Sequence, residues 1–199
     1  MAVIGITGGI ASGKSTFRDF LVPIIPAQAV DADAIARHLI EEDSDVRAEV
    51  LSAISPLAYK PDGSPDRVEI RRIIYSDPAA KSRIEAILHP RVRKTWLQEA
   101  ELANKEKRHL LVDIPLLFET GAETYFDTTV TVACSPDIQW SRLVVRGLDA
   151  ALAQEIILSQ MPVPEKIARS GHVVWNDGDL AALKDQAEYF AAWLRDKGR

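Results

Sequence analysis

The chain has 199 residues, 47% of them apolar and 27% charged, with a formal net charge of −5 and a pI near 5.4. That length holds one sizeable globular domain with room for a small lid. The acidic balance excludes a non-specific nucleic-acid binder, no run approaches the ~18 apolar residues of a membrane span, and no basic region followed by an apolar run opens the chain as a secretion signal would, so the cytoplasm is the expected location.

In chain order, an apolar segment predicts a first strand over residues 2–7, and a helix follows from Lys14 to Val22, stopped by Pro23. "PAQAV" reads as a short strand leading to Asp31. The run "DADAIARHLI" has apolar residues at 32, 35, 36, 39 and 40, the spacing of a helix that opens on an aspartate. Helical pattern continues over 45–54, gives way to a proline- and glycine-punctuated loop over 55–66, and resumes over 67–75 and 78–104. Pro90 is expected to break or kink that last run. "RHLLVDIP" is a buried strand ending at a proline, and "TTVTVAC" is another. Helices are predicted over 139–146, 150–160 and 164–169, a last strand at "HVVW", and a C-terminal helix with apolar residues at 180, 183, 187, 190, 191 and 194. Cys134, the single cysteine, sits among small apolar neighbours and reads as core filler.

Strands alternating with helices predict an α/β fold, a parallel sheet covered by helices on both faces. The mostly helical middle, 45–105, is expected to be an insertion within one domain, and 139–162 a helical lid.

Gly8-Gly9-Ile10-Ala11-Ser12-Gly13-Lys14-Ser15 fits G-x-x-x-x-G-K-[ST], with its required strand before and helix after. Glycines let backbone N–H groups turn around phosphate oxygens, and the following helix points its positive end at the same anion. Gly9, Ile10, Ala11, Ser12, Gly13 and Thr16 belong to this nucleoside-triphosphate cradle. Lys14 would bridge the β- and γ-phosphates and Ser15 would ligate Mg²⁺.

A GTPase is disfavoured: Asn104-Lys105-Glu106-Lys107 ends in the wrong residue for guanine recognition. A motor ATPase would need a larger domain and an acidic pair after a core strand, whereas Asp113 is followed by Ile114 and Pro115. A small-molecule kinase fits better. Arg142 and Arg146, four apart, share a helix face and could neutralise a transferring phosphoryl group, or could form a solvated basic face. Asp31 and Asp33 could be a helix cap and a first-turn carboxylate. Phosphoryl transfer to a hydroxyl also needs a proton acceptor, and Asp33 is the better candidate for that base, with Asp31 as its support. Asp113 could assist Mg²⁺ through water or could be a structural strand-end carboxylate.

These residues resemble the dephospho-CoA kinase family. The resemblance is carried by "TGGIASGKST" (7–16), "DADAIAR" (31–37), "DGSPDR" (62–67), "LHPRV" (88–92), "IPLLFE" (114–119), "RLVVR" (142–146), Gln160 and "NDG" (176–178). It implies transfer of the γ-phosphate of ATP to the ribose 3′-hydroxyl of dephospho-CoA, with Mg²⁺ as cofactor. The expected partners are those two small molecules, with no nucleic acid or membrane, and a monomer is the default. By resemblance, Asp33 is the base, Arg142 the phosphate-stabilising arginine and Arg146 a lid residue. Thr7, Asp31, His89, Pro115, Leu116, Leu117 and Glu119 line the acceptor side, and Asn176 lies near the adenine. Leu116, Leu117 and Phe118 read without the family are plain core. This chain departs from the family pattern at Ile54-Ser55, Ile156, Ser170-Gly171, Pro23 and Pro26. A nucleotide kinase with another acceptor, and a nucleotide-binding module without transfer activity, are the alternatives.

Overall fold

A computed structural model describes residues 1–197. Five strands and nine α-helices follow in chain order: β1 (Val3–Thr7), α1 (Lys14–Leu21), β2 (Ala27–Asp31), α2 (Ala32–Glu42), α3 (Ser44–Ala53), α4 (Arg67–Ser76) and α5 (Pro78–Lys105). Then come β3 (His109–Asp113), β4 (Thr128–Ala133), α6 (Pro136–Val145), α7 (Ala150–Leu158), α8 (Val163–Arg169), β5 (His172–Trp175) and α9 (Leu180–Lys197). The chain divides into two compact units, one of Met1–Asp31 with the chain from Glu99 onward, the other Ala32–Gln98.

The first unit holds a five-stranded sheet in the order β2-β3-β1-β4-β5, every neighbouring pair parallel. Its two faces follow from the period-2 alternation of β1. Ile4 and Ile6 are fully buried in a core with Phe17 and Leu21 of α1 and Leu183, Ala187 and Phe190 of α9. Gly5 and Thr7 face the other way. A β-carbon on Gly5 would lie 2.5 Å from Leu117 Cδ1, and the Thr7 hydroxyl donates to the Pro115 carbonyl at 3.1 Å. On that second face Thr131 of β4 donates to the Lys166 carbonyl of α8 at 3.3 Å. Both faces are covered by helix, as the alternating elements predict.

The second unit is helical. Its core joins Val46, Val50, Ala58, Tyr59, Ile70, Ile84, Ile87 and Leu88. Asp43 caps α3 by accepting from the amides of Asp45 and Val46, and Asp66 caps α4 through Val68 and Glu69. This unit runs from Ala32, at the start of α2, to Gln98 within α5.

Pro90 does not break α5. A proline removes one backbone hydrogen bond, but Ile84, Ile87 and Leu88 before it and Val92 and Trp96 after it are all buried, so the apolar stripe carries the helix across. Helix α6 starts at Pro136, three residues before the expected Gln139. Ser135 caps it by accepting from the Ile138 amide, and proline suits the first helical position because no partner awaits its missing N–H.

His109, at the start of β3, accepts the Ala2 amide on Nδ1 at 3.1 Å. Burial, and then the N-terminal ammonium, hold its pKa below the ordinary histidine value. The folded state therefore keeps His109 neutral while the unfolded chain takes up a proton first. The stability this contributes is present above about pH 6.5 and is lost as pH falls below it. His89 of α5, also lowered by burial, acts with the same sign. We expect Tm to fall between pH 7 and pH 5, and the fall to be shallower in His109→Gln. Equal slopes for the two proteins would refute the assignment.

Candidate active site

The glycine loop leaves β1 at the carboxyl end of the sheet and closes onto α1. Gly8 has φ +149° and Gly13 φ +97°, both in the region that disfavours a side chain. Space forbids one as well. A β-carbon on Gly8 would stand 2.1 Å from the Val132 carbonyl oxygen, and one on Gly13 2.2 Å from Asn176 Nδ2. Ala11 is left-handed at φ +60°, and the Ser12 amide closes a turn onto the Gly9 carbonyl at 3.2 Å. The Lys14 ammonium reaches the carbonyls of Gly8 and Gly9, both at 3.3 Å.

Side chains from distant parts of the sequence hold the outside of this loop. Gln139 donates to the Ile10 carbonyl at 2.8 Å, and Gln160 accepts from the Ile10 amide at 3.0 Å. Arg142 reaches the carbonyls of Ala11 (3.4 Å), Ser12 (3.3 Å) and Asn176 (2.9 Å). Asn176, buried past the end of β5, donates to the Ser12 carbonyl at 2.7 Å. Ala11 packs with Leu143 and Ala153, and Ile10, Leu148 and Ile157 flank that cluster. The glycine loop and helices α6 and α7 therefore share both polar and apolar contacts. Arg146 is the C-cap of α6; its backbone amide bonds to Arg142, and its side chain is exposed.

Beneath the loop lie three charged side chains and a serine hydroxyl. Ser15 donates to Asp113 at 3.4 Å. Arg18, one turn along α1, has its guanidinium 3.8 Å from both Asp113 and Asp31. Asp113 is 4% exposed. Hard oxygen donors on Ser15 and Asp113 suit Mg²⁺. Among the described residues no group of three or more His, Cys, Asp or Glu could enclose a metal ion. A site with so few protein oxygens fits Mg²⁺ brought largely by phosphates and water. Cys134, just past β4, is buried; burial pushes its thiol pKa up, against the opposing charge of Arg142.

The segment after β3 is tied down by a buried cation. Lys166 of α8 is fully buried; its ammonium donates to the Pro115 carbonyl at 2.5 Å and pairs with Glu119 at 2.8 Å. Glu119 also accepts the Met161 amide at 2.7 Å. Burial lowers the pKa of Lys166, and Glu119 opposes the shift. Leu117 and Phe118 are buried, while Pro115 and Leu116 are half-buried. In the second unit, Asp33 lies in the first turn of α2 with an exposed side chain, and His89 lies half-buried in α5.

The family model for dephospho-CoA kinase matches residues 2–182. The chain belongs to the dephospho-CoA kinase family. It is 42% identical over 197 residues to a dephospho-CoA kinase of Anaeromyxobacter dehalogenans, covering 98% of this chain and 93% of that one. It is 37% identical to one of Symbiobacterium thermophilum, covering 97% and 80%. A crystal structure from Thermus thermophilus superposes with a TM-score of 0.81 at 32% identity, covering 96% of this chain and 97% of that one. A dephospho-CoA kinase structure from Campylobacter jejuni shares the fold, with a TM-score of 0.74 at 23% identity over 99% and 98% of the two chains.

In this member of the dephospho-CoA kinase family, the structure brings together Thr7, the whole glycine loop, Lys14, Ser15, Asp31, Asp113, Arg142, Asn176, Pro115 and Glu119 within the first unit. It adds Gln139, Arg18 and Lys166, which sequence reasoning did not single out. None of the three carries a mark in the sequence: lysine and arginine are surface residues by type, and Gln139 lies in an unremarkable helical run.

Gly13→Ala tests the cradle. We expect ATP affinity to fall tenfold or more, because both φ and the Asn176 amide oppose the methyl group. Gly121→Ala is the control, at φ +64° with nothing within 4 Å. It should cost about 1 kcal/mol of stability and leave ATP binding intact. Calorimetric titration distinguishes them, and equal ATP affinity for Gly13→Ala and the wild type would overturn the reading.

Proposed function

We propose that the chain transfers the γ-phosphoryl group of ATP to the ribose 3′-hydroxyl of dephospho-CoA, giving coenzyme A and ADP. The observation that supports this is the match of residues 2–182 to the dephospho-CoA kinase family, on a chain whose glycine loop is met by both the Lys14 ammonium and the Arg142 guanidinium.

Phosphoryl transfer of this kind proceeds through a loose transition state, so catalysis rests on positioning and on charge placed where the phosphoryl oxygens develop it. The loop from Gly9 to Thr16 holds the triphosphate. Lys14 turns from the Gly8 and Gly9 carbonyls onto the β- and γ-phosphates, and Arg142 meets the transferring group. Helices α6 and α7, with the segment to 162, act as the lid, and Arg146 lies on that lid. Water exclusion on closure prevents simple hydrolysis. Asn176 borders the adenine.

Asp33 accepts the proton of the 3′-hydroxyl, with Asp31 supporting it. Thr7, His89, Pro115, Leu116, Leu117 and Glu119 shape the acceptor side. Ser15, with Asp113 through water, would hold Mg²⁺, which when bound neutralises charge on the β- and γ-phosphates. One chain in the cytoplasm, with about 45–105 as the acceptor-binding helical insertion of a single kinase domain, completes the proposal.

The decisive assay is ADP release with Mg·ATP, with and without dephospho-CoA, beside AMP, CMP and adenosine. Release that depends on dephospho-CoA, with a product heavier by one phosphate, is expected. Release with another acceptor would make the chain a different small-molecule kinase, and no acceptor-dependent release would make it a binding module. Asp33→Asn should lose about 10²- to 10⁴-fold in kcat while ATP binding survives. Near-normal kcat in that variant would remove Asp33 from the role of base. Lys14→Ala should lower kcat/KM, and an unchanged value would count against the loop reading.

A further inference from the structure

Lys166 is a fully buried ammonium that phosphoryl transfer itself does not require. A buried cation is costly unless it is paired and hydrogen-bonded, and its desolvation must be offset locally. Here the offset is local and specific. The ammonium donates to the Pro115 carbonyl at 2.5 Å and pairs with Glu119, whose side chain is 20% exposed. The Pro115 carbonyl also accepts from Thr7 at the end of β1. Glu119 accepts the Met161 amide at 2.7 Å. The residue before it, Gln160, accepts the Ile10 amide at 3.0 Å. Backbone bonds anchor the helix that carries the ammonium, since Thr131 and Ser170 both donate to the Lys166 carbonyl.

Two consecutive residues between α7 and α8 are thus pinned in different directions, Gln160 to the glycine loop and Met161 to the segment after β3. The Met161 end passes through the charge pair, and the Gln160 end is tied to it through the chain as the preceding residue. The pair also fixes Pro115 and Glu119, at either end of the segment that contains Leu116 and Leu117. A purely structural lysine would need partners, but would not need partners that also hold the junction between α7 and α8 and the segment beginning beside Thr7.

We propose that Lys166 is a positioning residue, whose pairing with Glu119 and hold on Pro115 set the 115–119 segment and the 160–161 junction in register with the glycine loop. That 115–119 serves the acceptor rests on the reading given under Proposed function; the register itself does not. Without the ammonium, Glu119 has no fixed cation. Met161 then loses a fixed acceptor, and the Gln160 contact to Ile10 loosens with it.

Two measurements test this. The first is amide hydrogen exchange on Lys166→Met and on the double variant Lys166→Met/Glu119→Gln. The double variant leaves no lone buried charge and so remains informative if the single variant folds poorly. Protection at Met161 and Ile10 should fall about tenfold or more while that at Ile4 and Val130 in the sheet is retained. Unchanged protection at Met161 and Ile10, or uniform loss across the sheet, would overturn the proposal. The second is a kinetic split in folded Lys166→Met, where Glu119 itself is kept. kcat/KM for dephospho-CoA should fall about tenfold or more, with the Kd for ATP within about threefold of wild type. Wild-type kinetics, or equal losses for the two substrates, would make Lys166 merely structural. Failure of the wild-type chain to use dephospho-CoA would instead refute the acceptor reading, and the exchange experiment would still decide the role of Lys166.

Discussion

Two places in the chain where a β-carbon cannot fit govern the remainder of the site. At Gly8 the Val132 carbonyl, and at Gly13 the Asn176 amide, occupy the space a side chain would take. Only because those positions are bare can the loop bring its backbone against the end of β4 and the residue beyond β5. Its outward carbonyls then become addresses. Gln139 answers Ile10, Arg142 answers Ala11 and Ser12, and Asn176 answers Ser12. Helix α6 is positioned by backbone oxygens whose places are set by the absence of side chains.

The sheet divides labour between its faces. Residues Ile4 and Ile6 turn toward α1 and α9 and form an apolar core. Gly5 and Thr7 turn toward the segment after β3, where packing is close and polar groups are admitted. The two most deeply buried charges of the first unit lie at its two polar centres: Asp113 under the loop, with Arg18 and Ser15, and Lys166 behind the 115–119 segment, with Glu119. Each is stabilised by a partner from another element, so each ties elements together as well as carrying charge.

Much of this was legible in the sequence, for physical reasons that can be named. Alternating apolar runs with short lengths mark the strands, and "GGIASGKS" marks the cradle, because its chemistry needs glycine, lysine and serine at fixed spacing. What was not legible depends on tertiary context. Pro90 is a helix breaker in isolation, but burial on both sides of it outweighs one lost hydrogen bond. Lys166 is a surface residue by type and becomes interior only because Glu119, 47 positions away, meets it. Arg142 and Arg146 look equivalent from a four-residue spacing. The helix ends between them: Arg142 still points into the loop while Arg146 is its exposed cap.

Cys134 has a practical consequence. It is the only thiol in the chain, it is buried, and its surroundings disfavour the thiolate that reacts with electrophiles. The native protein is therefore close to silent toward thiol reagents without any engineering. A cysteine introduced at an exposed position on α6 or α7 such as Val145 or Leu158 would take a dye or spin label almost alone. Paired with a second label on α9, at the exposed Tyr189, it would measure whether α6 and α7 shift against the sheet when nucleotide binds.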